Sequence, residues 1–220
     1  MTDKKRQLPV WQESILLVLT AMVMAVVVKT FFLQAFYIPS ESMEPTMLVD
    51  DKILVQKVSY WGGGDVKRGD IVVFDDPGGW LSANESKRAS NVVQKALEKV
   101  GLFPTGGHLI KRVIGVGGDT VACCTDGKLT VNGKALDEPY LLDETATKDT
   151  TFEVKVRKGY LWVMGDNRGN SSDSRLHQAD PGGGQVSEKA VVGKAWVRVW
   201  PLGRAGFIKK PSTFDAVNGK

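Results

Sequence analysis

Residues 108–124 read HLIKRVIGVGGDTVACC, and in this stretch two runs rich in Val and Ile flank a Gly-Gly turn. Short runs of this composition, bounded by glycine, predict β-strands joined by tight turns. The same pattern recurs along the chain as KILVQKV (52–58), DIVVFD (70–75), KLTVNG (128–133), FEVKV (152–156), GYLWVMGD (159–166) and KAVVGKAWVRVW (189–200). The sequence therefore predicts a mainly β fold of antiparallel sheets, sandwiched or partly closed.

Two dipeptides within this pattern are typical of hairpin turns. Asp126-Gly127 lies between two candidate strands, and Asn132-Gly133 follows the second. Both dipeptides favour the positive φ angles that tight hairpins require.

One segment departs from the strand pattern. Residues 84–100, NESKRASNVVQKALEKV, contain helix-favouring residues and an apolar stripe at helical spacing. We expect an inserted amphipathic helix within an insertion spanning 77–107. The favoured position for this helix is against the β core, and the alternative is the membrane surface.

The longest apolar stretch lies near the N-terminus. Residues 14–28 read SILLVLTAMVMAVVV without a charge, and after Lys29 the chain continues as TFFLQAFYI. About 22 apolar residues are enough to cross a bilayer, so we predict a transmembrane anchor over residues 14–34. A cleavable signal peptide is the alternative, but no small-residue A-x-A-like site follows the apolar core.

The charges around this anchor predict its orientation. Lys4, Lys5 and Arg6 lie in the segment 1–13, and basic residues beside a membrane helix tend to remain cytoplasmic. We therefore expect a single-pass protein of the lipid bilayer. Its N-terminus is expected in the cytoplasm and its residues 36–220 on the extracytoplasmic face.

Composition excludes several other classes of protein. The formal net charge is +4, but the basic residues are scattered rather than gathered into a stripe with aromatics, so we expect no nucleic-acid partner. Cys123 and Cys124 are adjacent and provide neither a spaced disulfide framework nor a zinc site. We predict no metal and no cofactor, and we favour two unlinked thiols over a vicinal disulfide.

Four sequence blocks follow the anchor in a particular order. They are IPSESMEPTM (38–47), GDIVVF (69–74), KRVIGVGGD (111–119) and GDNRGNSSDSR (165–175). Together they resemble the bacterial type I signal peptidases, from the anchor to Trp200-Pro201. The resemblance implies a membrane-bound serine endopeptidase of the bacterial plasma membrane. Its substrates would be exported preproteins, cleaved after small residues, commonly Ala-x-Ala, with the substrate strand pairing alongside the enzyme's own strands.

The resemblance also assigns roles to individual residues. Ser42 matches the nucleophile and Lys111 the general base. Ser40 matches the hydroxyl that helps the nucleophile's backbone N–H to hold the oxyanion. Ser171 matches the serine that orients the lysine amine.

The chemistry supports the pairing of Ser42 with Lys111. A serine hydroxyl needs a base to take its proton, and a lysine can act as that base only when it is neutral, so its ordinary pKa near 10.4 must fall. Burial among apolar side chains has this effect. On an extended strand Lys111 shares a face with Leu109 and Val113. The mechanism predicts a rate that rises with pH to an alkaline optimum.

Further residues are expected to shape the site. Charged residues in the last block are expected to form ion pairs that fix the loop around Ser171; they are Asp166, Arg168, Asp173 and Arg175. Apolar residues near the two catalytic positions are candidates for the substrate pocket; they are Ile38, Met43, Met47, Leu109 and Ile110. Glu41 departs from the commonest family pattern, in which glycine separates the two serines.

Three other interpretations stay open. A Ser/His mechanism is available through His108 or His177, although Lys111 occupies the matching base position. The enzyme could instead process one dedicated pilin-like or conjugation substrate. A different class is a membrane-tethered β domain that binds exported peptides without cleaving them.

Overall fold

The computed structural model describes residues 9–81, 107–124, 128–146 and 151–217. The predicted helix at 84–100 and the predicted turn at Asp126-Gly127 lie outside these ranges.

Helix α1 spans Val10–Phe31 and follows Pro9. Its window Val10–Val27 has a mean hydropathy of 1.9, and none of the window is buried. A helix of 22 residues is about 33 Å long, close to the ~30 Å thickness of a bilayer's hydrocarbon core. By length and composition, α1 is the one helix within the described ranges that could cross a membrane.

The bounds of α1 differ from those predicted for the transmembrane anchor, 14–34. The helix begins four residues earlier and ends at Phe31, because Leu33–Tyr37 is extended and forms strand β1. The backbone of β1 pairs with the next strand over five residues, and these interstrand hydrogen bonds replace those of another helical turn. The folded β domain therefore begins at Leu33 rather than at 36.

A large antiparallel sheet contains eight strands. These are β1 (Leu33–Tyr37), β2 (Lys52–Gln56), β3 (Ile71–Asp75), β4 (His108–Gly115), β9 (Tyr160–Met164), β10 (Val186–Ser187), β11 (Val191–Trp200) and β12 (Gly206–Phe207). Their order is β1-β2-β11-β3-β4-β9-β10, with β12 paired to β11. Strand β4 lies inside this sheet, and seven of its eight residues are buried.

A second antiparallel sheet has four short strands. These are β5 (Thr120–Cys123), β6 (Thr130–Val131), β7 (Lys134–Ala135) and β8 (Phe152–Lys155), in the order β7-β6-β5-β8. The predicted turn at Asn132-Gly133 joins β6 to β7 with φ angles of 53° and 76°. The prediction of a mainly β, antiparallel fold is confirmed. A short helix, α2 (Thr213–Val217), follows the strands.

Three apolar clusters make up the core. One lies around Trp162 and the small sheet and also takes Phe214 from α2. A second contains Met43, Met47 and Ile110, and a third contains Leu109, Val113 and Phe74. Neighbouring residues of β4 thus enter different clusters, because successive side chains of a strand point to opposite faces.

The two cysteines correct a second expectation. Cys123 ends β5, and its sulfur is bonded to that of Cys124. The structure therefore has a vicinal disulfide where the sequence favoured two unlinked thiols. Cys123 belongs to the small-sheet cluster, and Cys124 packs against it.

Candidate active site

The side chains of Ser42 and Lys111 meet in the interior of the protein. Ser42 lies in a 3₁₀ turn, Glu41–Met43, in the connection between β1 and β2, while Lys111 lies within β4. Lys111 Nζ and Ser42 Oγ are 2.8 Å apart and hydrogen-bonded. Ser42 is 6% exposed and Lys111 4% exposed. A serine hydroxyl in contact with a buried amine is the geometry that proton transfer between them requires.

Ser40 has a hydroxyl that is also close to the Ser42 hydroxyl. Its Oγ is 3.3 Å from Ser42 Oγ, and its backbone is extended, with φ −134° and ψ 158°. A second hydroxyl therefore lies within reach of any group that Ser42 attacks.

Ser171 is buried close to the pair, but its hydroxyl makes no hydrogen bond of good geometry with any residue in the described ranges. The expected hydrogen bond from Ser171 to the Lys111 amine is thus not seen among the described residues, and the orienting role of Ser171 stays a prediction. Gly165 separates Ser171 from the nucleophile. A Cβ built at Gly165 would lie 2.6 Å from Ser171 Cβ, and closer still to Ser171 Oγ and the Ser42 carbonyl oxygen. Only glycine leaves room for this packing.

A buried ion pair lies beside the nucleophile turn. Arg112 Nε and Nη2 donate to the two oxygens of Asp166 at 2.8 and 2.6 Å, and Arg112 Nη1 donates to the Gly69 carbonyl at 3.0 Å. Thr46 Oγ1 also donates to Asp166, at 2.5 Å. Burial by itself lowers the pKa of Arg112, but the Asp166 carboxylate outweighs this effect and raises it. Arg112 therefore stays charged and ties β4 to the 165–175 loop.

Two more arginines hold the loop itself. Arg168 donates to both oxygens of Glu138, at 3.1 and 2.6 Å. Arg175 binds the Asp173 carboxylate at 2.9 Å, and the Gly165 N–H donates to the same carboxylate at 3.0 Å. Burial raises the pKa of Asp173, but the bonds from Arg175 and Gly165 outweigh burial and hold it below its ordinary value. Each of the four predicted loop charges is thus part of a buried ion pair.

The loop also contacts the nucleophile turn directly. The Asn167 N–H donates to the Ser42 carbonyl at 3.1 Å, and Asn167 Nδ2 donates to the Glu41 carbonyl at 3.2 Å. Our sequence reasoning missed Asn167, Arg112, Thr46 and Glu138. The first three lie inside the quoted blocks, so attention to every polar residue of those blocks would have found them. Glu138 lies outside these blocks, and no neighbouring sequence motif indicates that it pairs with Arg168.

The five predicted pocket residues are not all brought together. Ile38, Met43, Met47 and Ile110 pack in one cluster, and the first three are at most 1% exposed. Leu109 packs in a different cluster, because it neighbours Ile110 on a strand and faces the opposite way. This corrects the placement of Leu109 beside the other four.

Both histidines have partners elsewhere. His108 Nδ1 lies 2.9 Å from an Asp75 oxygen. His177 is hydrogen-bonded to Ser172 at 2.9 Å and to Asp180 at 2.7 Å. The geometry at Ser42 thus favours Lys111 as its base. In the parts of the chain that the structure describes, no three His, Cys, Asp or Glu side chains are grouped to hold a metal ion.

Comparison with known proteins gives a consistent result. A family model described as "Signal peptidase, peptidase S26" matches residues 11–200. The chain is 40% identical to a probable signal peptidase I of Mycobacterium leprae, over 94% of this chain and 81% of the relative. It is 33% identical to signal peptidase I P of Bacillus subtilis subsp. natto, over 91% and 94%.

Among solved structures, a signal peptidase I from Enterococcus faecalis is similar, with a TM-score of 0.38 and 26% identity. The match covers 59% of this chain and 96% of that one. The family model and the identity to the curated relatives confirm the resemblance found in the four sequence blocks. The chain belongs to the signal peptidase I family, peptidase S26, whose members are membrane-anchored serine proteases that remove signal peptides from preproteins.

Proposed function

We propose that this chain cleaves exported preproteins after small residues of the Ala-x-Ala type, with Ser42 as nucleophile and Lys111 as general base. The observation that carries the proposal is the buried hydrogen bond of 2.8 Å between Lys111 Nζ and Ser42 Oγ. Burial of Lys111 provides the environment in which a lysine amine can be neutral near physiological pH. Family membership alone does not assign these residues, and the geometry supports the assignment independently.

The reaction follows from these positions. As Ser42 Oγ attacks the scissile carbonyl carbon, its proton passes to the neutral Lys111 amine. The carbonyl oxygen becomes an oxyanion, which the Ser42 backbone N–H and the Ser40 hydroxyl stabilise. The Lys111 ammonium then gives its proton to the leaving amine, and the C–N bond breaks to leave an acyl-enzyme. Lys111 next activates a water molecule, which hydrolyses the ester and regenerates Ser42.

The membrane arrangement supports this choice of substrate. We propose that α1 anchors the chain in the bacterial plasma membrane with its N-terminus in the cytoplasm. Ser42 follows the end of α1 by eleven residues. The scissile bond must then also lie close to the bilayer surface, where the end of a signal peptide's apolar region emerges.

The test is cleavage of a synthetic signal peptide containing Ala-x-Ala by the full chain in detergent, with product mass giving the cleavage site. We expect the wild type to cut after the second alanine and Ser42→Ala and Lys111→Met to be inactive. Ser212→Ala and Lys158→Met serve as matched controls away from the site and should retain activity. Retained activity in both Ser42→Ala and Lys111→Met would exclude the mechanism. An inert wild type would favour a dedicated processing enzyme or a binding domain.

A further inference from the structure

Glu41 is an exposed carboxylate at a position where a charge opposes the proposed reaction. It lies between Ser40 and Ser42, whose hydroxyls are 3.3 Å apart. Negative charge develops here in the transition state, so a nearby carboxylate destabilises it. A carboxylate that came close to Lys111 would also stabilise its ammonium form and so reduce the fraction of neutral base.

The structure shows where this carboxylate is held. Asn170 Nδ2 donates to Glu41 Oε2 at 3.0 Å. On the same turn, Asn167 donates to the carbonyl oxygens of Glu41 and Ser42. The 165–175 loop thus donates three hydrogen bonds to the nucleophile turn, two to backbone carbonyls and one to a side chain.

Asn170 is itself well fixed. It ends the 3₁₀ turn Arg168–Asn170, and its N–H donates to the Asn167 carbonyl at 3.1 Å. Arg168, at the start of this turn, is 3% exposed and bonded to Glu138, while Arg175 Nη2 donates to the Arg168 carbonyl at 2.8 Å. The amide that holds Glu41 is therefore supported by buried ion pairs.

We infer that Asn170 is a positioning residue that holds the Glu41 carboxylate away from the oxyanion and the Lys111 amine. The inference rests on the proposed function, because it concerns the same reaction. It gives Asn170 a role that depends on the charge of its neighbour. Removal of the Asn170 side chain is harmful when residue 41 is a carboxylate and nearly harmless when it is neutral.

The experiment compares the full chain in four forms: wild type, Asn170→Ala, Glu41→Gln and the double variant. The readout is kcat and KM for the signal-peptide substrate across pH 6–10. An exposed hydrogen bond with a charged partner limits the effect, so we expect Asn170→Ala to lower kcat by about 3- to 10-fold. KM should change less than 2-fold. The pH at half-maximal kcat/KM should rise, because the released carboxylate favours the protonated amine.

Glu41→Gln keeps the shape of the side chain and an acceptor for Asn170 but removes the charge. In that background, Asn170→Ala should lower kcat by less than about 2-fold and leave the pH profile in place. The matched control background is Glu44→Gln. It removes a carboxylate two residues after Ser42 in the sequence that has no side-chain hydrogen bond among the described residues. There, Asn170→Ala should keep its full effect.

The outcomes separate this inference from the proposed function. An equal loss of kcat on Asn170→Ala in the wild-type and Glu41→Gln backgrounds overturns the inference, and so does an unchanged kcat in the single variant. Either result can occur while wild type cleaves and Ser42→Ala does not, in which case the proposed function stands. If Ser42→Ala cleaves as fast as wild type, the proposed function itself fails. Thermal unfolding of each variant reports whether it is folded.

Discussion

Replacement of Gly165 by alanine should inactivate the enzyme while leaving it folded. The added methyl group would lie 2.6 Å from Ser171 Cβ, and the ordinary lower limit for such a contact is 3.4 Å. Ser171 must therefore retreat by about 0.8 Å, and the Ser42 carbonyl oxygen, which is also too close to the added methyl group, must move at least as far. A displacement on the order of 1 Å at a reacting group costs about 10²-fold in rate. We expect kcat/KM to fall about 100-fold.

The assay is cleavage of the signal-peptide substrate, together with urea denaturation of the same preparations. Overpacking of this kind costs about 1–3 kcal/mol of stability, less than the ~5–15 kcal/mol that a domain usually has, so the variant should remain folded. Gly169→Ala is the matched control, because among the residues that the structure describes a Cβ there meets only Ala146 Cβ, at 3.6 Å. If Gly165→Ala keeps more than a tenth of wild-type activity, or if Gly169→Ala loses as much, the steric reasoning is wrong.

Three further predictions concern the supporting structure. Arg112→Lys cannot reproduce the paired bonds to Asp166, so urea denaturation should show a loss of about 2–3 kcal/mol, and an unchanged midpoint would contradict this. Burial raises the pKa of Asp119, but bonds from Arg68, the Val116 N–H and Asn132 hold it below its ordinary 3.8. Its stabilising effect is thus present above about pH 4 and lost as pH falls through the folded-state pKa, so Asp119→Asn should destabilise at pH 7 but progressively less in acid. Deletion of residues 1–31 should abolish flotation with lipid vesicles yet shift Tm by only a few degrees, because none of the Val10–Val27 window is buried.

Local sequence pattern was enough to predict the longer strands of the fold, but not β1, β10, β12 or α2. Strands β2, β3, β4, β5, β9 and β11 all lie within the quoted Val- and Ile-rich runs. The period of a strand and the turn preference of Asn132-Gly133 depend on residues that are close in the sequence. The exact end of α1 was not predictable in the same way. Apolar character continues past Phe31, and the choice between helix and strand at Leu33 depended on pairing with β2.

Most residues of the candidate site could also be predicted from the sequence. The four ordered blocks contain Ser42, Lys111 and the charged residues of the 165–175 loop. The structure brings Ser42 and Lys111 into contact. The sequence did not reveal which partner each charge takes. Arg112 meets Asp166 from 54 residues away, and Arg168 meets Glu138 from 30 residues away. Such pairs depend on which strands become neighbours and in what register.

The mainly β fold, a helix of membrane length and membership of the signal peptidase I family could all be predicted from the amino-acid sequence. Each depends on residues that are close together in the chain or on blocks in a fixed order. The folded structure was needed to show that Leu109 and Ile110 enter different clusters, that Gly165 packs against Ser171 and Ser42, and that Asn170 donates to Glu41. The partners in these contacts are far apart along the chain. These contacts form where separate loops and strands meet. Packing and the need to satisfy hydrogen bonds determine which side chains come together there, and local conformational preference does not.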